Sequence, residues 1–445
     1  MINNMFLVET PTSETSTIES APRAKQEHVV ATYVIETAFP LDYAAEVIAG
    51  EQSCGTFVAV PNETAQLKER HSAKVLSVTP LETVASPSLE GSTAPQSPNA
   101  SRYQRGKIVV SFPYHNIGPS IPNLLTTVAG NLYEIQQLSG IRLVDLELPV
   151  AFSQRYPGPA FGIEGTRKLT NVHGRSLIGT IIKPSIGLTP DETRPLVREL
   201  AMAGLDFAKD DELNGNAPYA PLAERVAAVM DEINRVADKT GKKMMYAFNI
   251  TGDVDELRRG HDLVNEAGGS CVMVAINSIG FAGLSYLRQH SELPIHGHRA
   301  MYGALARHPM LGIGFTAYQK LCRLAGVDHL HVGGLDSKFY QSNAEVRQSI
   351  LDCLAPMYGD YRVMPAISSA QWAGSAEGIY AATKTIDVLH LAGGGIIAHP
   401  GGISEGVRSM QQGWEAAMAN ITLAEYAEGR PELRLAIEKF GKSRT

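Results

Sequence analysis

Apolar positions fall into two different arrangements along this chain. Between residues 29 and 149 they alternate with polar ones or recur at helical spacing. "VVATYVIETAF" (29–39), "SAKVLSVTPLE" (72–82), "GKIVVSFPY" (106–114) and "IRLVDLELP" (141–149) read as strands. "DYAAEVIAGEQS" (42–53) and "IPNLLTTVAGNLYE" (121–134) read as helices. Strands and helices mixed in this way predict a small α+β domain. From residue 176 the arrangement changes to short apolar runs, each leading into a polar or glycine-bearing turn. They are "SLIGTIIK" (176–183), "LDFAK" (205–209), "MMYAFNI" (244–250), "CVMVAI" (271–276), "LPIHGH" (293–298), "VDHLHV" (327–332), "RVMPAIS" (362–368) and "VLHLAGGG" (388–395). Amphipathic segments such as "TPDETRPLVRELAMAG" and "DVDELRRGHDLVNEAG" separate them, and "TPDE" and "TGDVDE" carry helix-start chemistry. Eight such units predict a (β/α)8 barrel, with a doubly wound open sheet as the rival.

Composition sets the boundaries. A chain of 445 residues exceeds the size at which single cores stop growing. Residues 1–27 are rich in Thr, Ser and Glu and read as a flexible tail. Residues 28–150 form the α+β domain, and residues 151–445, entered through a connector, form the barrel domain. Residues 85–101 are a loop rich in Pro, Ser and Gly. The net charge of −7 offers no basic excess for nucleic acid. Cys54, Cys271, Cys322 and Cys353 form no CxxC pair, as suits a reducing cytosol. No secretory pattern and no apolar run of transmembrane length is found, so a cytoplasmic protein without a membrane partner is expected.

Reacting groups in a barrel sit at the C-terminal ends of its strands. Those ends carry Lys183-Pro184, then Lys209, Asp211 and Glu212, then Asn249 and Asn277-Ser278. His296-Gly297-His298-Arg299, His329-Leu330-His331 with Lys338 beyond, Ser368-Ser369 and Gly393-Gly394-Gly395 follow. Strand positions i and i+2 share a face, so Lys209 and Asp211 point the same way and Glu212 swings in behind them. Two carboxylates are a thin cage for Mg²⁺, but a lysine amine that takes up CO2 becomes an oxygen ligand. The plain alternative is an ion pair at a strand end. Lys183 reads as a proton-transfer group or a surface lysine. The four histidines read as core residues bonded to backbone carbonyls, as proton carriers, or as zinc ligands. The glycine run reads as an oxyanion cradle or a tight turn.

Taken in order, these segments resemble the large subunit of RuBisCO, and more closely the RuBisCO-like (form IV) proteins, over about residues 29 to 425. The resemblance implies a ferredoxin-like N-terminal domain before the barrel. "GTIIKPSIGLTP" resembles the strand-one motif, implying Lys183 as a catalytic lysine. "AGLDFAKDDE" resembles the metal motif, implying a carbamate on Lys209 with Asp211 and Glu212 as Mg²⁺ ligands. "HGHRAM" implies His298 as the catalytic histidine and Arg299 as a phosphate ligand. "GVDHLHVGGLDSKF" implies His331 for phosphate and Lys338 as the lysine of a mobile loop. Ser368 and the Gly393–Gly394 segment are implied for phosphate, and Glu51, Thr56 and Asn131 for substrate contact, partly across subunits of a homodimer.

Departures from the carboxylase pattern narrow the reaction. Ser185 stands where carboxylases carry a second lysine, Phe57 where they carry tryptophan, and Ser369-Ala370 where they carry two glycines approached by a phosphate. True bisphosphate carboxylation is therefore not expected. The reading is an Mg²⁺-dependent carbon–carbon lyase of carbohydrate catabolism that forms an enediolate from a phosphorylated keto-sugar acid. The expected type is 3-oxo-isoapionate 4-phosphate decarboxylase. The alternatives are a transcarboxylase/hydrolase on that compound, an enolase or isomerase of methionine salvage, and a non-catalytic sugar-phosphate binder.

Overall fold

The computed structural model describes residues 27–55, 58, 60–92 and 102–441. All of the expected tail except Glu27 lies outside these residues, as do Thr56 and Phe57. The described chain divides into two compact units, residues 27–157 with Met301–Leu324, and residues Gly158–Ala300 with 325–441. Residues 301–324, which a single boundary at 150 would give to the barrel, group with the smaller unit. Three of them, Leu311–Ile313, pair in parallel with a strand of its sheet.

In the smaller unit, β1 (His28–Thr37), β2 (Lys74–Val84), β3 (Tyr103–Pro113) and β4 (Leu138–Glu147) form an antiparallel sheet in the order β4-β1-β3-β2. Helices Leu41–Glu51 and Ile121–Ala129 follow the first and third strands. That β-α-β-β-α-β order is the ferredoxin-like arrangement. Glu36 enters the sheet without exposure because Ser88, Arg105 and Ser139 all donate to its carboxylate.

In the larger unit eight strands close a parallel barrel: β5 (Leu177–Ile181), β6 (Phe207–Lys209), β7 (Met245–Asn249), β8 (Cys271–Ala275), β9 (Ile295–His298), β11 (His329–Gly333), β12 (Met364–Ile367) and β13 (Leu389–Leu391). The label β10 belongs to Leu311–Ile313. Pairing of β9 with β11 completes the ring. Leu177, Ile181, Phe207, Met245, Ala247, Met273, Ala366 and Leu389 fill the interior. The intervening residues, such as Ala208 and Tyr246, face the helices, because successive strand side chains alternate in direction. Thr189 with Glu192 and Asp253 with Glu256 form the capping boxes expected of their helices. The last apolar run stops being a strand at Leu391, and Gly393–Ile397 begins a short helix.

Candidate active site

The alternation of β6 sorts the four charged residues at its end. Phe207 belongs to the interior core, so Lys209, two positions on, also points inward. Its amine is buried, donates to the Asp210 carbonyl at 3.0 Å and lies 3.5 Å from Glu212 Oε2. Burial lowers its pKa, opposed by the charges of Glu212 and Asp211. Asp210 faces the other way. Its carboxylate accepts from Tyr246 Oη at 2.7 Å, from Arg225 Nε at 3.2 Å and from the Asn249 backbone at 2.8 Å. Arg225 comes from helix Leu222–Thr240 and also donates to the carbonyls of Asn214, Gly215 and Ala220. Asp210 and Arg225 thus pin the loop that follows Glu212 to the barrel wall. Sequence reasoning gave them no role, although the parity that turns Lys209 inward also turns Asp210 outward.

Asp211 returns to the mouth. Its Oδ2 accepts from Lys183 Nζ at 2.7 Å, and its Oδ1 from the Leu213 N–H at 3.2 Å. Lys183 also donates to Ser185 Oγ at 2.8 Å. Asn249, inward on β7, donates to the carbonyls of Asp211 and Glu212 at 3.3 and 3.2 Å and so fixes the backbone beneath both carboxylates. His298 Nε2 lies 3.4 Å from Glu212 Oε2, and its Nδ1 accepts from the Ala300 N–H. Burial and the Lys209 charge push the His298 imidazole down to about 4, so it is neutral at neutral pH. Burial would raise the Glu212 carboxyl, but its interactions with His298 and Lys209 outweigh this and hold it below the usual carboxylate range.

The structure thus brings Lys183, Lys209, Asp211, Glu212 and His298 into one network. Arg299 donates to Gln341, a partner the sequence did not suggest. His331 Nδ1 and Ser368 Oγ are 3.1 Å apart. Gly394 has open space where a Cβ would stand, and Gly393 has the Lys183 side chain 3.7 Å from that point. Lys338 occupies an exposed loop with its ammonium 5.4 Å from the Phe339 ring centre. None of the network's hydrogen bonds described above involves it. Glu51, ending its helix, and Asn131, opening a short 3-10 turn, are exposed residues of the smaller unit. Thr56 lies outside the described residues. His261, Asp262 and His290, on the outer helices, form a separate group. Glu292 N–H donates to His261 Nε2, which leaves the His261 hydrogen on Nδ1 toward Asp262.

Residues 162–440 match the catalytic domain of the ribulose bisphosphate carboxylase large chain, and residues 17–152 match its N-terminal domain. This chain belongs to the RuBisCO large-chain family, in its RuBisCO-like branch. A 3-oxo-isoapionate-4-phosphate transcarboxylase/hydrolase of Xanthobacter autotrophicus is 51% identical over 92% of this chain and 99% of its own. A 3-oxo-isoapionate-4-phosphate decarboxylase of Rhizobium etli is 45% identical over 93% of this chain and 98% of its own. The crystal structure of a rubisco-like protein from Burkholderia fungorum superposes with a TM-score of 0.86 at 45% identity, covering 93% of this chain and 100% of that one.

One RuBisCO-like departure has a backbone consequence. Ser369 and Ala370 have φ of 79° and 59°, the left-handed region in which a Cβ costs about 1 kcal/mol or more per residue. The turn that two glycines would form freely is kept here at the expense of strain, and two side chains stand on it.

Proposed function

We propose that this RuBisCO-like chain acts on 3-oxo-isoapionate 4-phosphate, or a phosphorylated keto acid of the same kind, and cleaves the bond to its carboxylate carbon in an Mg²⁺-dependent lyase reaction. The observation that carries this is the buried Lys209 amine 3.5 Å from Glu212, in a network that also holds Asp211, Lys183 and His298. The donor set suits Mg²⁺ once Lys209 is modified. Burial favours the neutral amine, and only the neutral amine attacks CO2. The carbamate then joins Asp211 and Glu212 as a third oxygen donor. When bound there, Mg²⁺ supplies positive charge against which the electrons of the breaking carbon–carbon bond collect on substrate oxygens.

Residues of the chain do the rest. Asn249 holds the backbone carbonyls of Asp211 and Glu212 and so steadies the base of both side chains. Lys183, held by Asp211, stores the proton that the carbon receives after the carboxylate leaves. His298 is neutral and able to take or give a proton. Arg299, Ser368 and the backbone at Gly393 and Gly394 hold a single phosphate. The side chains of Ser369 and Ala370 occupy a turn where a second would approach, which supports a monophosphate substrate over a bisphosphate. Lys338 acts when its loop folds over the mouth. Glu51, Thr56 and Asn131 complete the site of the opposite subunit in a cytoplasmic homodimer.

A second reading has support of its own. The relative from Xanthobacter autotrophicus, at 51% identity, is named a transcarboxylase/hydrolase, whereas that from Rhizobium etli, at 45%, is named a decarboxylase. Incubation with 3-oxo-isoapionate 4-phosphate, Mg²⁺ and bicarbonate separates them. Decarboxylation releases one CO2 per substrate consumed. Consumption without CO2 selects the transcarboxylase/hydrolase. Solvent deuterium incorporation without consumption selects an enolase, and no change in the substrate at all contradicts the proposal.

A further inference from the structure

Inside the barrel, three histidines form a hydrogen-bond chain whose direction is fixed at one end. Thr166, on helix Gly162–Thr170, has its hydroxyl oxygen 2.5 Å from the Gly162 carbonyl and 2.8 Å from His329 Nε2. A carbonyl cannot donate, so two oxygens at that distance need the threonine hydrogen between them. His329 must therefore donate from Nε2, and a neutral ring then has a bare Nδ1. His296 Nδ1, 3.3 Å away, donates to it. That leaves His296 Nε2 bare, so His331 Nε2, at 2.8 Å, carries the next hydrogen. His331 Nδ1 is then a lone pair, and the Ser368 hydroxyl at 3.1 Å donates to it. Every nitrogen in the chain finds its complement. A second hydrogen on His296 or His329 would set two donors face to face. Burial acts in the same direction, pushing all three imidazoles below their usual range.

We propose that His296 and His329 are positioning residues that lock His331 as its Nε2–H tautomer, so that its Nδ1, on the Ser368 side, meets the substrate as a hydrogen-bond acceptor. When Ser368 turns its single hydrogen to the phosphate, the lone pair it frees on His331 Nδ1 accepts from a sugar hydroxyl, and phosphate recognition falls to Arg299, Ser368 and the glycine backbone. This deepens the sugar-phosphate reading and rests on it only for the identity of the substrate.

The test is the two-bond ¹⁵N–¹H spectrum of histidine-labelled protein, free and with inorganic phosphate added. Hydrogens are expected on Nε2 of His329 and His331 and on Nδ1 of His296, in both samples. A hydrogen on Nδ1 of His331 in either sample overturns the proposal. The spectrum needs no turnover, so it stands or fails separately from the proposed reaction. Thr166→Val removes the acceptor that sets the direction. Mixed tautomers at His331 and a roughly tenfold fall in kcat/KM are expected, with Thr166→Ser restoring both. An unchanged spectrum and unchanged kcat/KM in Thr166→Val would contradict the lock.

Discussion

Replacing Lys209 by methionine is expected to lower turnover roughly a thousandfold and to leave the fold as stable as before. Methionine has nearly the reach of lysine and no amine, so it fills the same space in the barrel mouth without a group for CO2 to modify. The folded state loses little. The amine is 1% exposed, and its removal relieves the cost of burying a charge. Glu212 loses one partner but is a third exposed and keeps His298 at 3.4 Å. The expected effect is thus on chemistry alone, read as initial rates at saturating Mg²⁺ beside a thermal melt. Full turnover in this variant would remove Lys209 from the mechanism. A collapse of the melting temperature would show that the residue serves the fold instead.

Asp210→Ala has the opposite profile. Asp210 and Arg225 are each 1% exposed, and the change leaves a guanidinium in the barrel wall without its carboxylate. Tyr246 Oη and the Asn249 N–H lose their acceptor at the same time. Breaking a buried pair from one side costs about 3–5 kcal/mol, which lowers the melting temperature by on the order of 10 °C. The loop that carries Asp211 and Glu212 is loosened as well, so the proposed activity should fall at temperatures below the melt. Arg225→Met, which removes the other half of the pair, is expected to destabilise less, because Asp210 keeps two donors. A melting temperature within a degree or two of the parent for Asp210→Ala would show that this pair does not anchor the mouth.

The barrel was legible because each of its strands is a short apolar run, buried on both faces, that ends in polar residues. β10 was not: it is three residues long and half-buried, and it pairs away from the segments that surround it in sequence. Within "AKDDE" the residue types alone make Asp210 and Asp211 equal, and only strand parity separates an anchor from a mouth residue. The histidines at 296 and 298, and at 329 and 331, were readable as same-face pairs on two strands. Their partners were not, because β9 and β11 are neighbours only once Met301–Leu324 is set aside into the smaller unit. The expected bonding to backbone carbonyls is replaced, for His296, His329 and His331, by bonds to one another, to Thr166 and to Ser368. Thr166 carries no sequence signal at all. It sits mid-helix, and its role depends on a carbonyl four residues back.

The roles given to Lys209, Asp211 and Glu212 rest on CO2 adding to one amine of this chain. Protein equilibrated with ¹³C-bicarbonate and Mg²⁺, then observed by ¹³C NMR, reports that bond directly. The account predicts one carbamate signal per chain, which persists when free bicarbonate is diluted in the presence of Mg²⁺ and is missing from Lys209→Met. No carbamate signal in a preparation that turns over its substrate, or the same signal in Lys209→Met, would contradict it.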